Sequence, residues 1–433
     1  MAFSDKFADI LGRVAEAVDD NKYLNCIKNA FTFYMPFVII GSFAALFKTA
    51  AGFESFSFLK NLQPAFAAIN FATMSSMSLV IVFLLGMLLA KKNKQPEYLA
   101  GMVAIMSYIA IVPQSVTAVV EGAQSLVNNV LPASSMNAQG LFVGMFVAIL
   151  SVELFTVLMK FDKLQIKMPP SVPAAISKSF NTLIPLTIVL FVFGIVGSLF
   201  VNFTGSYISE YMYVVLQKPL ETVVQTPFGI VALVLVSQLL WIVGIHGGLV
   251  ISPLRNPLLI SALANNIEQV QAGGVATNPI TMTFWGSFIV PGGAGVTIAL
   301  IIGSYLFSKR DDYKMISQLS FLPGLCGINE PITFGLPIVL NPIMAIPFVL
   351  TSVMGTLIGL FATSIGFIPC SVVDVPFGIP IIANAFMGYG TFNAVIVQLV
   401  IIALSILLYV PFIKIANRQY LKEIEEQEVV AEQ

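Results

Sequence analysis

The sequence predicts an all-α polytopic membrane protein, and three observations carry that prediction. Hydrophobic residues make up 57% of the chain and charged residues only 10%, against a charged share of about 25% in soluble domains. Apolar runs long enough to cross a bilayer as a helix, about 20 residues each, recur from one end of the chain to the other. Clusters of lysine and arginine separate them and mark cytoplasmic ends. The expected architecture is about ten transmembrane helices, two re-entrant hairpins and interfacial amphipathic helices. A net charge of -1 excludes a nucleic-acid surface, which needs clustered basic residues. Cys26, Cys326 and Cys370 fit neither a disulfide framework nor a zinc spacing. The single histidine, His246, cannot build a histidine-rich metal site. No metal and no cofactor is expected.

Taken in order, residues 1–22 place Phe3, Phe7, Ile10, Leu11, Val14 and Val18 on one helical face, the pattern of a helix lying on the membrane surface. The opening MAFSDKFADI lacks the pattern of a cleaved signal, so insertion is expected to rely on internal helices. Spans are expected at 31–50, 71–90 and 98–116, the second closed on the cytoplasmic side by Lys91, Lys92 and Lys94. The polar connection 121–139 has no lysine or arginine and should face outward. A fourth span, 140–159, carries Glu153, a carboxylate expected to face protein and to be held by an interhelical hydrogen bond. It meets a second basic cluster, Lys160, Lys163, Lys167 and Lys178. Within that cluster Met168-Pro169-Pro170-Ser171-Val172-Pro173 breaks any helix and marks a boundary. Spans five and six follow at 183–201 and 228–251.

With the N-terminus inside, six spans return the chain to the cytoplasm near Pro253, and a span at 284–307 would end outside. Yet Lys309, Arg310 and Lys314 follow it, a third basic cluster that belongs inside. One extra crossing between Arg255 and Thr281 resolves the conflict; because Asn265, Asn266, Glu268, Gln269 and Gln271 are too polar for lipid, it should be lined by protein. The alternative is a local failure of the positive-inside bias. Further spans are expected at 342–366 and 392–413, leaving both ends in the cytoplasm. The chain divides into 1–170, an N-terminal membrane half; 171–225, a linker with span five and an amphipathic connection; 226–415, a C-terminal half; and 416–433, a cytoplasmic tail.

Two stretches interrupt the apolar pattern. Gly327-Ile328-Asn329-Glu330-Pro331-Ile332-Thr333-Phe334-Gly335 carries a carboxylate, two glycines and a proline that should disfavour helical geometry at Glu330. Irregular backbone at membrane depth belongs where protein buries it or a wet cavity receives it, and an ionisable side chain there points to function. The competing reading is a surface loop with a solvated glutamate. Residues 369–390, with Asp374, Pro376, Gly378, Pro380, Gly388 and Gly390, have the same character. Glu330 can accept a hydrogen bond or act as a base, for which burial would help, and Asn329 offers donors and an acceptor. His246, in Gly244-Ile245-His246-Gly247-Gly248, suits a sugar hydroxyl because a neutral imidazole both donates and accepts; Gly247 leaves room for a ligand. A histidine satisfied by helix packing is the alternative. Trp241, five residues earlier, is expected to face elsewhere on its helix. Arg255 is the basic candidate for meeting a phosphate, or serves topology alone. Trp285 opens a glycine-rich break, Trp285-Gly286 and Pro291-Gly292-Gly293-Ala294-Gly295, that either packs helices closely or lines a pocket. On these residues alone, an ion-coupled secondary sugar transporter, with Glu330 and His246 carrying protons, competes with any other transport mechanism.

From Gly327 through Pro342 the chain resembles the membrane IIC component (permease) of the phosphoenolpyruvate-dependent sugar phosphotransferase system, in its lactose/cellobiose/diacetylchitobiose family. The three-proline segment at 168–173, Gly244-Ile245-His246-Gly247 and Gly292-Gly293-Ala294-Gly295 follow in the matching order, so the resemblance covers essentially the whole chain. It implies a homodimer in the bacterial cytoplasmic membrane, with residues 1–170 dimerising and 226–415 holding and moving the sugar. It implies that the two interrupted stretches are re-entrant hairpins. It implies inward transport of a disaccharide, a cellobiose- or diacetylchitobiose-like β-glycoside, with phosphorylation at the C6 hydroxyl by a phosphocysteine of a separate IIB protein, itself served by IIA. Glu330 and His246 would be catalytic, Glu330 orienting or deprotonating that hydroxyl. His246, Asn329, Glu330, Gly247, Arg255 and Trp285 would bind substrate.

Overall fold

The computed structural model describes residues 20–51, 54–120, 123–169, 171–336, 338 and 341–431. Most of the amphipathic stretch expected at 1–22 lies outside them. The chain forms two compact units: one contains Asp19–Glu221 with Asn256–Ala264, the other Thr222–Arg255 with Asn265–Gln433.

The first unit is built on α1 (Lys22–Ala50), α2 (Met77–Lys92), α3 (Glu97–Ile111), α4 (Leu141–Leu158) and α5 (Leu183–Thr204). Small residues let these helices approach closely, as membrane packing requires: a Cβ on Gly86 of α2 would lie 2.7 Å from that of Ala104 on α3, and one on Gly144 of α4 would lie 2.6 Å from the Val82 side chain. Lys22 Nζ donates to Glu153 Oε1 at 2.7 Å and to Asn93 Oδ1 at 3.1 Å, and Asn93 Nδ2 donates to the same Glu153 oxygen at 3.0 Å. Glu153 is therefore held between helices, as its place in an apolar run predicts. The helix α5 is apolar on every side, leaves Phe191, Ile195 and Phe203 exposed, and stops at Gly205, whose φ of +72° suits glycine at a C-terminal cap. One departure from an all-α fold sits in the connection expected to face outward: β1 (Ser115–Val120) and β2 (Ala123–Asn128) pair antiparallel as a hairpin. The run Ser115-Val116-Thr117-Ala118-Val119-Val120 is β-branched and suits a strand.

The second unit begins with α6 (Pro227–Ile242), the single turn α7 (Gly247–Val250) and α8 (Ser252–Gln271), whose middle belongs to the first unit. A π-turn, Trp285–Ile289, and a turn of glycines separate the start of the next apolar run from α9 (Thr297–Phe307). Then come α10 (Asp311–Leu325), α11 (Glu330–Gly335), α12 (Pro342–Ser364), α13 (Ala383–Tyr389) and α14 (Phe392–Ala431). The last has 40 residues, about 60 Å at helical rise and about twice the hydrocarbon thickness, so it continues well beyond the membrane. Its core gathers Ile298, Leu300 and Ile301 of α9, Ile332 and Leu336 of α11, Phe348 of α12, and Tyr409 and Ile413 of α14.

Among the described residues six helices are long and apolar enough to cross a membrane, and eight if each of two bent pairs forms one span. The fold is thus helical and membrane-spanning, and helix length and composition support six to eight of the about ten spans expected. Two of the expected crossings fall short for physical reasons. The helix α3 has 15 residues, about 22 Å where the hydrocarbon core needs about 30 Å. The helix α8, in the stretch where an extra protein-lined crossing is expected, is continuous; its apolar Leu258, Leu259, Ile260 and Leu263 are buried in protein, while its polar end keeps it from reading as a lipid-facing span.

Candidate functional site

The first interrupted stretch is a helical hairpin, and its irregularity lies earlier than expected. The helix α10 ends at Leu325, the chain turns through Cys326 to Asn329 with Gly327 at φ +83°, and α11 restarts at Glu330 with Pro331 in its first turn. A proline there costs nothing, because that N–H has no helical acceptor. Pro331 therefore opens a helix and does not break one. Ile332 and Leu336 are buried in the core, and Thr333 donates its hydroxyl to the Asn329 carbonyl at 2.8 Å. Opposite this anchored face Glu330 is exposed, contrary to the burial expected for it. Asn329 is only 4% exposed, and its Nδ2 has no hydrogen-bond partner among the described residues. A buried amide donor without a partner is costly, which sets this side chain apart from its hydrogen-bonded neighbours in the turn.

His246 is placed by the end of α6. The helix stops at Ile242, Gly244 takes φ +86°, and His246 caps α7, its Nδ1 accepting from the Leu249 N–H at 3.2 Å. The acceptor nitrogen is therefore used, and the neutral ring presents Nε2–H as a donor. The ring is exposed. Trp241, expected to face elsewhere, lies with its ring centroid 4.4 Å from that of His246. The sharp reversal at Gly244 undoes the helical spacing on which that expectation rested. Gly247 is buried, and a Cβ on it would stand 1.9 Å from the Ser237 carbonyl oxygen; its lack of a side chain serves this close approach. At Gly248 the nearest atoms a Cβ would meet are those of the His246 ring, at 3.4 Å, and Arg255 Nη1, at 3.7 Å. Gly248 thus separates those two side chains. Arg255 stacks its guanidinium 4.7 Å from the centre of the buried Trp285 ring, which fixes a planar cation in place. Three of the expected residues, His246, Arg255 and Trp285, are thereby brought together, while Asn329 and Glu330 stand side by side where α11 begins.

The second interrupted stretch meets the first. Ile381 N–H donates to the Leu325 carbonyl at 2.8 Å, and a Cβ on Gly327 would lie 3.5 Å from the exposed Phe377 ring. Asn266 of α8 donates to the Ser371 carbonyl at 2.9 Å, and Ser371 donates to the Gly388 carbonyl at 2.7 Å. Asp374 is buried in this hairpin. Phe377, beside Gly327, is the aromatic residue that sequence reasoning left out, and Trp241, weighed there, stands nearer His246 than its helical spacing implies; proximity to glycine at a turn is the signal that could have found both positions. Among the described residues no group of three or more His, Cys, Asp or Glu side chains could hold a metal ion.

A family model described as "Phosphotransferase system, EIIC" matches residues 28–352. The chain belongs to the EIIC family. An EIIC component is the membrane permease of a sugar phosphotransferase system and works with IIB and IIA partners. Among curated relatives, the oligo-beta-mannoside-specific EIIC component of Bacillus subtilis is 30% identical, covering 98% of this chain and 96% of its own. The cellobiose-specific EIIC component of Geobacillus stearothermophilus is 30% identical, covering 98% and 95%. Among solved structures, that of the IIC component from the N,N'-diacetylchitobiose-specific phosphotransferase system superposes with a TM-score of 0.89 at 34% identity, covering 95% of this chain and 98% of that one. The fold and the order of the motifs in this EIIC chain are thus those of a sugar permease.

Proposed function

We propose that this EIIC carries a β-linked disaccharide of the cellobiose or diacetylchitobiose type into the cell and presents its C6 hydroxyl to a phosphocysteine of a separate IIB protein. The observation that supports this most is the buried, unpartnered Nδ2 of Asn329 next to the exposed carboxylate of Glu330. One supplies a donor to a sugar hydroxyl and the other an acceptor. In the transfer the S–P bond of the phosphocysteine breaks and a bond forms between phosphorus and the C6 oxygen. The hydroxyl proton passes to Glu330, which acts as general base. His246 donates from Nε2 to a neighbouring sugar oxygen, and Arg255, steadied on Trp285, offers a cation to the incoming phosphoryl group. Both chain ends lie in the cytoplasm, two copies assemble through the N-terminal half, and the C-terminal half moves the sugar.

Membrane vesicles loaded with phosphorylated IIB test this reading. Labelled disaccharide should accumulate inside only as its phosphate. Accumulation of unmodified sugar, driven by a pH gradient without IIB, would make this chain an ion-coupled transporter instead.

A further inference from the structure

The turn behind Asn329 is held by two hydroxyls that the proposed chemistry does not use. Within residues 292–296 the backbone takes φ of +72° at Gly292, +111° at Gly293, +69° at Gly295 and +49° at Val296. Val296 is β-branched, fully buried and in a left-handed conformation such residues rarely adopt, so neighbouring structure must impose it. The Gly295 carbonyl supplies the grip: it accepts from Tyr409 Oη of α14 at 2.7 Å and from Thr351 Oγ1 of α12 at 2.8 Å. Both donors are completely buried. Two residues before that carbonyl, Gly293 abuts Asn329 so closely that a Cβ would lie 2.5 Å from the Asn329 Cβ and 2.8 Å from its Cγ. The turn is the wall against which the Asn329 amide rests, and that amide holds the unpartnered Nδ2.

We propose that Tyr409 and Thr351 are positioning residues for the sugar contact of Asn329: by fixing the Gly295 carbonyl they seat Gly293 against the Asn329 side chain and aim its Nδ2 at the ligand. The proposal rests on the assignment of Asn329 to sugar binding. Neither hydroxyl touches the sugar, so each acts only through Asn329.

The dissociation constants of cellobiose and N,N'-diacetylchitobiose on purified full-length protein, measured in a double-mutant cycle, test it. Tyr409→Phe keeps the ring and removes the hydroxyl; it should weaken binding of the recognised sugar about three- to tenfold, the factor of one lost hydrogen bond. In an Asn329→Ala background the same change should weaken binding by less than about twofold, because the residue it acts through is gone. Thr351→Val should behave like Tyr409→Phe, and Thr351→Ser, which keeps the donor, should restore parental affinity; this pair decides the matter if Tyr409→Phe does not fold. Equal losses in both backgrounds, or no loss in either hydroxyl variant, would overturn the proposal and leave the hydroxyls to packing. Unchanged affinity in Asn329→Ala alone would instead remove Asn329 from the site, and the proposal with it.

Discussion

In the first unit Glu153 accepts from both Lys22 and Asn93, and Asn93 Nδ2 donates onward to Thr156 at 3.1 Å. In the second unit Asn329 and Glu330 stand side by side in the chain; nothing among the described residues bonds to the Glu330 carboxylate, and the Asn329 Nδ2 has no partner. The residue types match, yet one cluster is closed and the other open. Closure follows from three helices converging with a lysine among them, so every polar atom that leaves water gains a partner. Openness follows from a hairpin tip anchored on its apolar side by Ile332 and Leu336, which leaves the polar side without local partners. A polar residue in an apolar chain therefore signals function only once its partners are counted.

Several changes would sharpen or break this contrast. The largest effect is expected at the open cluster: Glu330→Gln should keep measurable disaccharide binding but slow phosphoryl transfer from IIB by about a hundredfold or more, the usual worth of a general base; an unchanged transfer rate would remove Glu330 from the chemistry. His246→Ala removes a donor and the ring tilted against Trp241, and isothermal titration should show a dissociation constant raised about tenfold. At the closed cluster Glu153→Gln should leave sugar affinity and transfer as they are. Lys22 and Glu153 are both partly exposed, so solvent screens the pair, and thermal unfolding should show a loss of only a few degrees; a loss of transport activity would mean that this cluster also works in the cycle. The smallest effect belongs to a surface carboxylate outside the spans. The hydrogen bond from Arg310 holds the Asp312 carboxyl below its usual range. Its contribution is therefore present above the unfolded value near 4 and is lost as pH falls through the lower folded value. With the side chain half exposed, Asp312→Asn should cost a few tenths of a kcal/mol at neutral pH, a difference from the parent that vanishes in acid.

Much of this contrast was legible in the sequence, and the part that was not has physical reasons. Glu153 sits deep in an apolar run, which requires a protein partner, and the structure supplies Lys22 and Asn93. The stretch from Gly327 to Gly335 announced a broken helix, and Gly327 marks where it breaks; Pro331 misled because proline is as welcome in a first turn as it is unwelcome in an interior. The position of Trp241 against His246 depends on the reversal at Gly244, and helical spacing says nothing across a reversal. That Asn329 is buried while Glu330 is exposed depends on which face of α11 joins the core through Ile332 and Leu336, a matter of segments far apart in the chain. The role of Gly293 is invisible for the same reason: its neighbour, Asn329, comes from a turn far along the chain.

If the Glu330 carboxylate faces the C6 hydroxyl of the bound sugar, a matched pair of ligands should reveal it. Affinities for cellobiose and for its analogue lacking that hydroxyl on the nonreducing sugar should differ about tenfold in the parent protein, one charge-assisted hydrogen bond, and the difference should shrink to about twofold or less in Glu330→Gln. If the parent and Glu330→Gln discriminate between the two sugars equally, Glu330 does not touch that hydroxyl and the account fails at its centre.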